Sequence, residues 1–311
     1  MKQQTIRTSF ELSGKGLHTG LMIHAAFKPA SENTGLLIRR IDLPGQPAYR
    51  AISQYVSATE RGTVLSVGEW KVSTIEHALS ALYATGITNC EIELDAPEMP
   101  ILDGSAKPFV DAIHQAGILE QETEAPELVI DRTIEYQAAS GSTYSIEPAE
   151  EPQFEVEIAF PGEMLHNQQA ELKHLCDYET EVSYARTFCF VRELTYLLSR
   201  GLIKGGDLNN ALVIYEQPIP QDQMNLLTDM LGQPRQNAGK LGYLSPLHFE
   251  NEPARHKLLD LIGDFALLGC RIRGKVKACK PGHSGNTECV KKLTEMFKVD
   301  SNNSHIRKDN D

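Results

Sequence analysis

The sequence predicts an α+β protein built from two similar units, each with a layer of strands and a layer of helices. Segments of alternating apolar and polar residues, typical of half-buried strands, are followed by segments with helical periodicity, and this succession occurs in both halves of the 311-residue chain. Residues 120–127, which are charged, lack periodicity and contain Pro126, are predicted to be a linker. We therefore expect domains at 1–119 and 128–298, and a disordered polar tail at 299–311.

In the first unit, "LMIHAAF" and "NCEIELD" are predicted strands. "STIEHALSALYATG", residues 73–86, is a predicted helix that opens with a capping box from Ser73 to Glu76 and ends at Gly86. "KPFVDAIHQAG" is a second helix, and it ends at Gly117.

The second unit repeats this succession. Its predicted strands are "ELVIDRTIEY", "FEVEIAF" and "GKVKAC", and its predicted helices lie near 190–200, at 254–268 and in "SGNTECVKKLTEMF". The repetition suggests a duplication, although internal sequence identity alone does not prove one.

Composition excludes several classes of protein. No apolar run approaches the length of a membrane span, and the N-terminus lacks the apolar stretch of a secretory signal. The six cysteines form no CxxC pair, which favours reduced thiols in the cytoplasm. A net charge of −12 argues against a nucleic-acid binder. Residues 271–292 are nevertheless basic, which indicates either a solvated face or a local site for an anion such as a phosphate.

The chemistry is suggested by "ARHKLLDLIGDFALLG", residues 254–269, where His256, Asp260 and Asp264 recur every fourth residue of a predicted helix. Positions four apart share one helical face, so His256 and Asp260 can coordinate one divalent cation. Two ligands make a weak site, and His77 in "IEH" is the candidate third. Each of these residues could instead be an ordinary hydrogen-bonded core residue, and that alternative stays open.

Two imidazoles and one carboxylate would leave a coordination position for water, as in catalytic zinc sites. Glu76, beside His77, is then a candidate general base, in competition with its capping-box role. His283, in the turn "CKPGHSGN", is a candidate general acid if the spare carboxylate of Asp264 orients it and raises its pKa. A turn histidine on solvated surface is the alternative.

Over residues 3–297 the sequence resembles the zinc-dependent UDP-3-O-acyl-N-acetylglucosamine deacetylases. The resemblance lies in "GKGLHTG", "STIEHALSAL", "PILDGSAKPFVDAI", "ARTFCF", "ELTYLLSRGLIKGG", "RHKLLDLIGD" and "KPGHSGN". It implies two similar domains, each a sheet and helix sandwich, with the active site between them. The implied reaction removes the N-acetyl group from UDP-3-O-(3-hydroxyacyl)-N-acetylglucosamine and releases acetate, the committed step of lipid A biosynthesis. The implied cofactor is Zn²⁺, or Fe²⁺ in vivo, and the implied state is a cytoplasmic monomer without stable membrane insertion or nucleic-acid partner.

The resemblance also implies roles for single residues. Glu76 matches the base, His77, His256 and Asp260 the metal ligands, and His283 the acid with Asp264 as its partner. Thr187 matches a hydroxyl that assists the oxyanion. The implied substrate-binding residues are Lys257, Lys280 near the phosphates, Phe188, and Phe160 as a uridine-stacking ring, while Asp103 is taken as structural.

An insert at 189–215 matches the family's apolar passage for the acyl chain. Its implied walls are Val191, Leu194, Ile203, Leu208 and Val213, with simple packing of the insert as the alternative. Cys189 stands where the family usually has Gly. In some bacteria the family is fused to a downstream acyl-carrier-protein dehydratase domain, and the sequence leaves open whether one follows here.

Three other functions would use parts of the same pattern. A non-haem iron oxygenase also uses two histidines and one carboxylate, but it needs neither the base at Glu76 nor the acid at His283. A metallopeptidase is disfavoured because HExxH does not occur. The remaining alternative is a non-catalytic, metal-dependent sugar-nucleotide-binding protein, which would need a closed fourth ligand.

Overall fold

Two five-stranded sheets, one in each half of the chain, organise the protein. The computed structural model describes residues 1–161, 165–194, 200, 202–216, 220–230, 234, 235, 237 and 242–306. The strands up to residue 124 are β1 Lys2–Ile6, β2 Phe10–Lys15, β3 Met22–Pro29, β4 Leu36–Arg40, β5 Ala48–Arg50, β6 Val56–Ala58, β7 Val64–Val67, β8 Trp70–Val72, β9 Cys90–Leu94 and β10 Ile118–Glu124. The later strands are β11 Glu127–Val129, β12 Ile134–Gln137, β13 Thr143–Glu147, β14 Gln153–Ile158, β15 Gln168–Leu172, β16 Phe188–Phe190, β17 Leu212–Tyr215, β18 Gly242–Tyr243, β19 Arg271–Arg273 and β20 Lys275–Cys279.

The helices lie around and between these sheets. They are α1 Glu76–Ala84, α2 Lys107–Ala116, α3 Tyr178–Glu181, α4 Gln221–Met230, α5 Glu252–Phe265 and α6 His283–Ile306, with short 3₁₀ turns at Ser53–Tyr55, Leu175–Asp177 and Ala266–Leu268. None of the described helices is both long and apolar enough to cross a membrane.

The two sheets have the same topology. Their strand orders are β2-β3-β9-β4-β5 and β12-β13-β20-β14-β15. All neighbours are antiparallel except β4 with β9 and β14 with β20, which occupy equivalent places. In each half one helix precedes the central strand and another follows it. The predicted fold class, two similar α+β units, is confirmed.

The helices α1 and α5 pack against each other, and α5 also packs on β14 and β15. Leu79 of α1 and Leu259 of α5 are fully buried in one continuous core with Ile92 and Val276 of the two sheets. The two helices therefore join the halves through apolar contact. The same helices carry the polar residues that the sequence singled out.

Gly263 sets how closely these helices approach. A Cβ atom at this position would lie 2.2 Å from the carbonyl oxygen of Glu76, the first residue of α1. No side chain fits in that space, so only glycine permits the observed contact. The contact fixes Glu76 and the neighbouring His77 relative to α5.

Residues 120–127, predicted as a linker, differ from that expectation. Most of the segment belongs to β10, which pairs antiparallel with β1 at the start of the chain, and β11 begins at Glu127. Pairing with β1 explains the strand. The sequence gives little sign of it, because the half-buried positions Gln121 and Thr123 are polar and the residues between and after them are charged and exposed. The division into two domains stays a prediction.

Two other segments also differ from the secondary structure that the sequence predicts. "ELVIDRTIEY" is not one strand but two, since β11 pairs with β19 and β12 pairs with β13. The helix α6 continues through the start of the tail predicted to be disordered, as far as Ile306, since no Gly or Pro interrupts residues 298–306. Residues 307–311 lie outside the described part.

The insert at 189–215 is held by close backbone contacts. Residues 191–194 are helical, as predicted near 190–200, whereas 195–199 and 201 lie outside the described residues. A Cβ on Gly205 would lie 2.2 Å from the oxygen of Gly16, and one on Gly104 would lie 1.8 Å from the oxygen of Asn210. The glycines of "GKGLHTG", "PILDGSA" and "IKGG" therefore let three loops stack closely.

Gly263→Ala should force α1 and α5 apart. We expect a loss of about 1–3 kcal/mol in the free energy of unfolding, the usual cost of overpacking a core. If His77 is a metal ligand, as the sequence predicts, zinc affinity should fall at the same time, because His77 moves away from α5. The measurements are urea unfolding and a competition titration with a zinc chelator. Gly282→Ala is the control, because no atom lies within 4 Å of a Cβ there. Equal zinc affinity in both variants would contradict this account.

Candidate metal centre

His77, His256 and Asp260 form a buried cluster that could hold a metal ion. One ligand atom from each residue lies within 4.8 Å of the others. His77 is in the first turn of α1, and His256 and Asp260 lie one turn apart on α5. All three are at most 4% exposed. The close crossing of α1 and α5 brings together residues that are far apart in the sequence.

The hydrogen bonds of this cluster fit a cation. His256 Nδ1 lies 3.1 Å from the carbonyl oxygen of Ala185, to which it donates, so its Nε2 lone pair is free. Among the described residues, His77 Nδ1 and Asp260 Oδ1 are buried without a hydrogen-bond partner. Buried polar atoms are rarely left unpaired, and a cation in the cluster would satisfy Asp260 Oδ1, which lies 3.4 Å from His256 Nε2. The donor set of two nitrogens and one oxygen suits Zn²⁺ or Fe²⁺.

The electrostatics of the cluster favour metal binding. Burial, together with the neighbouring His256, lowers the pKa of His77 to about 3, and burial also lowers the pKa of His256. Burial alone would raise the pKa of Asp260, but His256 and Lys257 outweigh it and hold this pKa well below its ordinary value. The two imidazoles are thus neutral and the carboxylate is ionised, the states in which they bind metals.

Glu76 faces the cluster and does not cap its helix. No side-chain cap is present at the start of α1, and the Ser73 hydroxyl donates to the oxygen of Pro97 instead. The predicted capping box is therefore wrong. The Glu76 carboxylate accepts a hydrogen bond from the Thr63 amide at 3.1 Å. Burial, with Asp260 and Asp264 nearby, raises its pKa to about 7 even though His283 opposes the shift.

His283 and Asp264 form the predicted pair. His283 Nδ1 lies 2.9 Å from Asp264 Oδ2, and its Nε2 lies 3.9 Å from Glu76 Oε1 and 3.8 Å from Asp260 Oδ2. Burial disfavours the charged ring, but Asp264 and Asp260 outweigh it and raise the pKa of His283 to about 9. The imidazole is therefore protonated at neutral pH, with Nε2 directed towards the cluster.

Two residues that hold Asp264 were not predicted from the sequence. The Thr63 hydroxyl donates to Asp264 Oδ1 at 2.5 Å, and the Asn286 amide donates to Oδ2 at 2.8 Å. Asn286 in turn accepts from the Tyr144 hydroxyl at 2.7 Å. Asn286 lies three residues after His283, one helical turn away, which is the one sequence signal that could have revealed it. Thr63 has no such signal.

The cluster opens into a cavity of about 370 Å³ whose wall includes three of the predicted substrate-binding residues, Phe188, Lys257 and Lys280. Thr187, Phe188, Lys257 and Lys280 line it together with Glu76, the three cluster residues and His283. Lys257 Nζ lies 2.8 Å from Asp260 Oδ2, and Lys280 is exposed at the rim. This cavity can therefore hold an anionic group next to a metal ion.

Thr187 is positioned by backbone contacts. Its backbone amide donates to the carbonyl oxygen of Gly104 at 2.8 Å. Its backbone carbonyl oxygen accepts from the amide of Leu212, also at 2.8 Å. Asp103 supports the same turn, since its carboxylate accepts bonds from the amide and hydroxyl of Ser105. These bonds are consistent with the structural role predicted for Asp103.

Phe160 lies outside the cavity wall. Its ring packs against Phe188 and Phe190, with centroid distances of 5.7 and 5.4 Å. The structure thus gives Phe160 a packing contact with a residue of the cavity, and its stacking on a uridine stays a prediction.

A second, apolar cavity adjoins the first. Leu194, Ile203 and Val213 line it, as predicted for an acyl passage, and so does Cys189, whose thiol pKa burial raises to about 12. Val191 and Leu208 are not among its lining residues. They pack in the surrounding apolar cluster instead. Thr187, Phe188, Leu17 and Arg61 line both cavities, so an apolar chain entering the second would begin beside the metal cluster.

The basic segment 271–292 divides between the two predicted roles. Lys275 pairs with Glu155 and Glu171, and Lys277 pairs with Glu147, as on a solvated face. Lys280 instead lines the larger cavity. The local anion site therefore rests on Lys280 rather than on the whole segment.

Comparison with known proteins identifies the family. The family model for LpxC, UDP-3-O-acyl N-acetylglycosamine deacetylase, matches residues 3–229 and 238–295. A "Bifunctional enzyme LpxC/FabZ" of Porphyromonas gingivalis is 51% identical over 96% of this chain and 65% of its own length. One of Bacteroides thetaiotaomicron is 46% identical over 96% of this chain and 66% of its own length. The chain thus spans about two-thirds of these two relatives.

A "UDP-3-O-acyl-N-acetylglucosamine deacetylase" of Thermosynechococcus vestitus is 34% identical over 94% of this chain and 94% of its own length. The similarity to this relative runs over nearly the whole of both chains.

His256→Ala should abolish stoichiometric metal binding, because a carboxylate and one imidazole make a weak site. The measurement is zinc content after dialysis against a mild chelator, with folding checked by circular dichroism. His114→Ala is the matched control, since His114 is 48% exposed and lies outside the cluster. Full zinc content in a folded His256→Ala variant would show that the site is assigned wrongly.

Proposed function

The chain belongs to the UDP-3-O-acyl-N-acetylglucosamine deacetylase family, and from this premise we propose that it hydrolyses the 2-acetamido group of UDP-3-O-(3-hydroxyacyl)-N-acetylglucosamine. The products are acetate and a free amine, and the reaction is the committed step of lipid A biosynthesis. One observation carries the proposal: Glu76 and His283 Nε2 face the same buried His-His-Asp cluster, 3.9 Å apart, in a single cavity. A non-catalytic metal protein has no use for such a pair.

The proposed cofactor is Zn²⁺, with Fe²⁺ as the alternative ion in vivo, held by His77, His256 and Asp260. When bound, a divalent cation supplies Lewis acidity, which polarises an amide carbonyl and makes water more acidic. The remaining steps fall to the side chains of the chain itself.

Glu76 acts as the general base. Its carboxylate takes a proton from the water whose oxygen adds to the amide carbon, and its raised pKa of about 7 suits that task near neutral pH. The Thr187 hydroxyl donates a hydrogen bond to the oxyanion that forms, as in an oxyanion hole.

His283 acts as the general acid. It donates the proton on Nε2 to the nitrogen of the substrate, the C–N bond breaks, and the amine leaves in neutral form. The Asp264 carboxylate accepts a hydrogen bond from Nδ1 and stabilises the protonated ring. Without that proton, the leaving group would be an amide ion, which is too basic to depart.

We assign substrate contacts from the two cavities. Lys280 at the rim would bind the diphosphate, and Lys257 and Phe188 would contact the sugar near the metal. The apolar cavity along Leu194, Ile203 and Val213 would take the acyl chain, with Val191 and Leu208 packed behind it. Phe160 is proposed to support Phe188 or to reach the uridine. Six free cysteines suit a reducing compartment, and we propose a cytoplasmic monomer.

The zinc-loaded protein should release acetate from the UDP-linked substrate with a bell-shaped pH dependence. Without a metal ion the pKa of Glu76 is raised to about 7 and that of His283 to about 9. A bound cation lowers both values, because positive charge favours the deprotonated form of each group. The rate should therefore rise as Glu76 ionises, with a midpoint below about pH 7, and fall as His283 loses its proton, with a midpoint below about pH 9. Acetate release is measured from pH 5 to 10.

Glu76→Gln keeps the shape and the Thr63 contact but removes the base. It should retain zinc and lose about two to four orders of magnitude in rate. A wild-type rate in this variant would refute the mechanism, and the absence of any deacetylation by the zinc-loaded wild type would refute the proposed function.

Leu194 lines the apolar cavity. The larger side chain in Leu194→Trp should therefore block the cavity and select against long acyl chains. Each buried methylene contributes about 0.8 kcal/mol, so a blocked passage removes much of the affinity for a long chain. The test compares kcat/KM for a myristoyl-type and an acetyl-type 3-O-acyl substrate. Leu226→Trp, at a site that is 61% exposed, is the control. An unchanged ratio of kcat/KM in folded, zinc-loaded Leu194→Trp would show that Leu194 only packs.

A further inference from the structure

Thr63, just before β7, bonds to two groups that the proposed mechanism needs. The residue is fully buried. Its amide donates to Glu76 Oε2 at 3.1 Å, and its hydroxyl donates to Asp264 Oδ1 at 2.5 Å. Glu76 begins α1 and Asp264 lies in α5. A single residue thus connects the proposed base with the partner of the proposed acid.

The hydroxyl also contacts His283 directly. Thr63 Oγ1 lies 3.2 Å from His283 Nδ1, which itself lies 2.9 Å from Asp264 Oδ2. Because the one hydroxyl proton goes to Asp264, the oxygen presents a lone pair to the Nδ1 hydrogen. Both contacts therefore require the hydrogen on Nδ1 and fix the plane of the ring. Nε2 is left facing Glu76 and Asp260.

We propose that Thr63 is a positioning residue for the hydrolysis. Its hydroxyl holds Asp264 and His283 so that the Nε2 hydrogen points at the departing nitrogen, and its amide holds Glu76 opposite. The inference rests on the proposed function, because the direction of Nε2 matters only where His283 delivers a proton. Groups that orient the ligands of a metal commonly contribute about 10–100-fold in metal affinity or activity, and we expect the same scale for a residue that orients the acid.

Thr63→Val removes the hydroxyl and keeps the volume and the amide. We expect kcat to fall about 10–100-fold, with KM and zinc content unchanged. Thr63→Ser, which keeps the hydroxyl, should have most of the wild-type kcat. Thr287→Val is the matched control, because Thr287 is also buried and its hydroxyl has no hydrogen-bond partner among the described residues. Wild-type kcat in Thr63→Val would overturn the proposal. So would a loss of kcat that accompanies lost zinc and that Thr63→Ser does not restore.

A second measurement does not depend on activity. In zinc-loaded protein with ¹⁵N-labelled histidine, the Nδ1 hydrogen of His283 should give a downfield proton resonance, identified by its loss in His283→Gln. Thr63→Val should shift or broaden this resonance, and Thr287→Val should not. An unchanged resonance in Thr63→Val would overturn the positioning role. If the wild type lacked deacetylase activity, the proposed function would fail while this measurement still decided the contact.

Discussion

The close contact between α1 and α5 at Gly263 is the constraint on which the site depends. His77 comes from the first helix and His256 and Asp260 from the second, so the distance between the helices sets the distance between the ligands. A glycine facing the oxygen of Glu76 permits an approach that any side chain would prevent. The apolar residues of both helices stabilise that approach by burial, while His256, Asp260 and Asp264 share one polar face of α5. This explains why a core helix keeps three ionisable residues on one face.

Burial then determines the charges. Glu76, His77, His256, Asp260 and Asp264 are all at most 4% exposed, so each ionised group must be stabilised by a neighbour rather than by water. Asp264 is satisfied by His283, Thr63 and Asn286, whereas Asp260 Oδ1 and His77 Nδ1 lack partners among the described residues. The satisfied carboxylate holds His283, the proposed acid, whereas the unsatisfied atoms belong to the proposed metal ligands. Asp260 and Asp264, one helical turn apart on α5, would therefore have two different tasks.

Much of this arrangement could be predicted from local patterns. The four-residue spacing on α5, the "IEH" motif and the turn around His283 are visible in the sequence, because helical periodicity and motif residues are local properties. The features that were missed depend on distant partners. Thr63 meets Asp264 from the other half of the chain, and β10 is a strand because β1 pairs with it. The capping box failed because the Glu76 carboxylate accepts a hydrogen bond from the Thr63 amide and faces His283, rather than the end of α1. Val191 and Leu208 match the apolar pattern of a passage, but only the packing shows that they lie behind its wall.

We infer that α1 and α5 together bind one divalent cation through two imidazoles and one carboxylate. X-ray absorption at the zinc edge of the stoichiometrically loaded protein measures the atoms bound to the ion. We expect only nitrogen and oxygen ligands, with imidazole nitrogens at about 2.0–2.1 Å and carboxylate oxygen at about 2.0–2.2 Å, and with the more distant scattering of two histidine rings. A sulfur scatterer at about 2.3 Å, or a shell with a single imidazole, would contradict it.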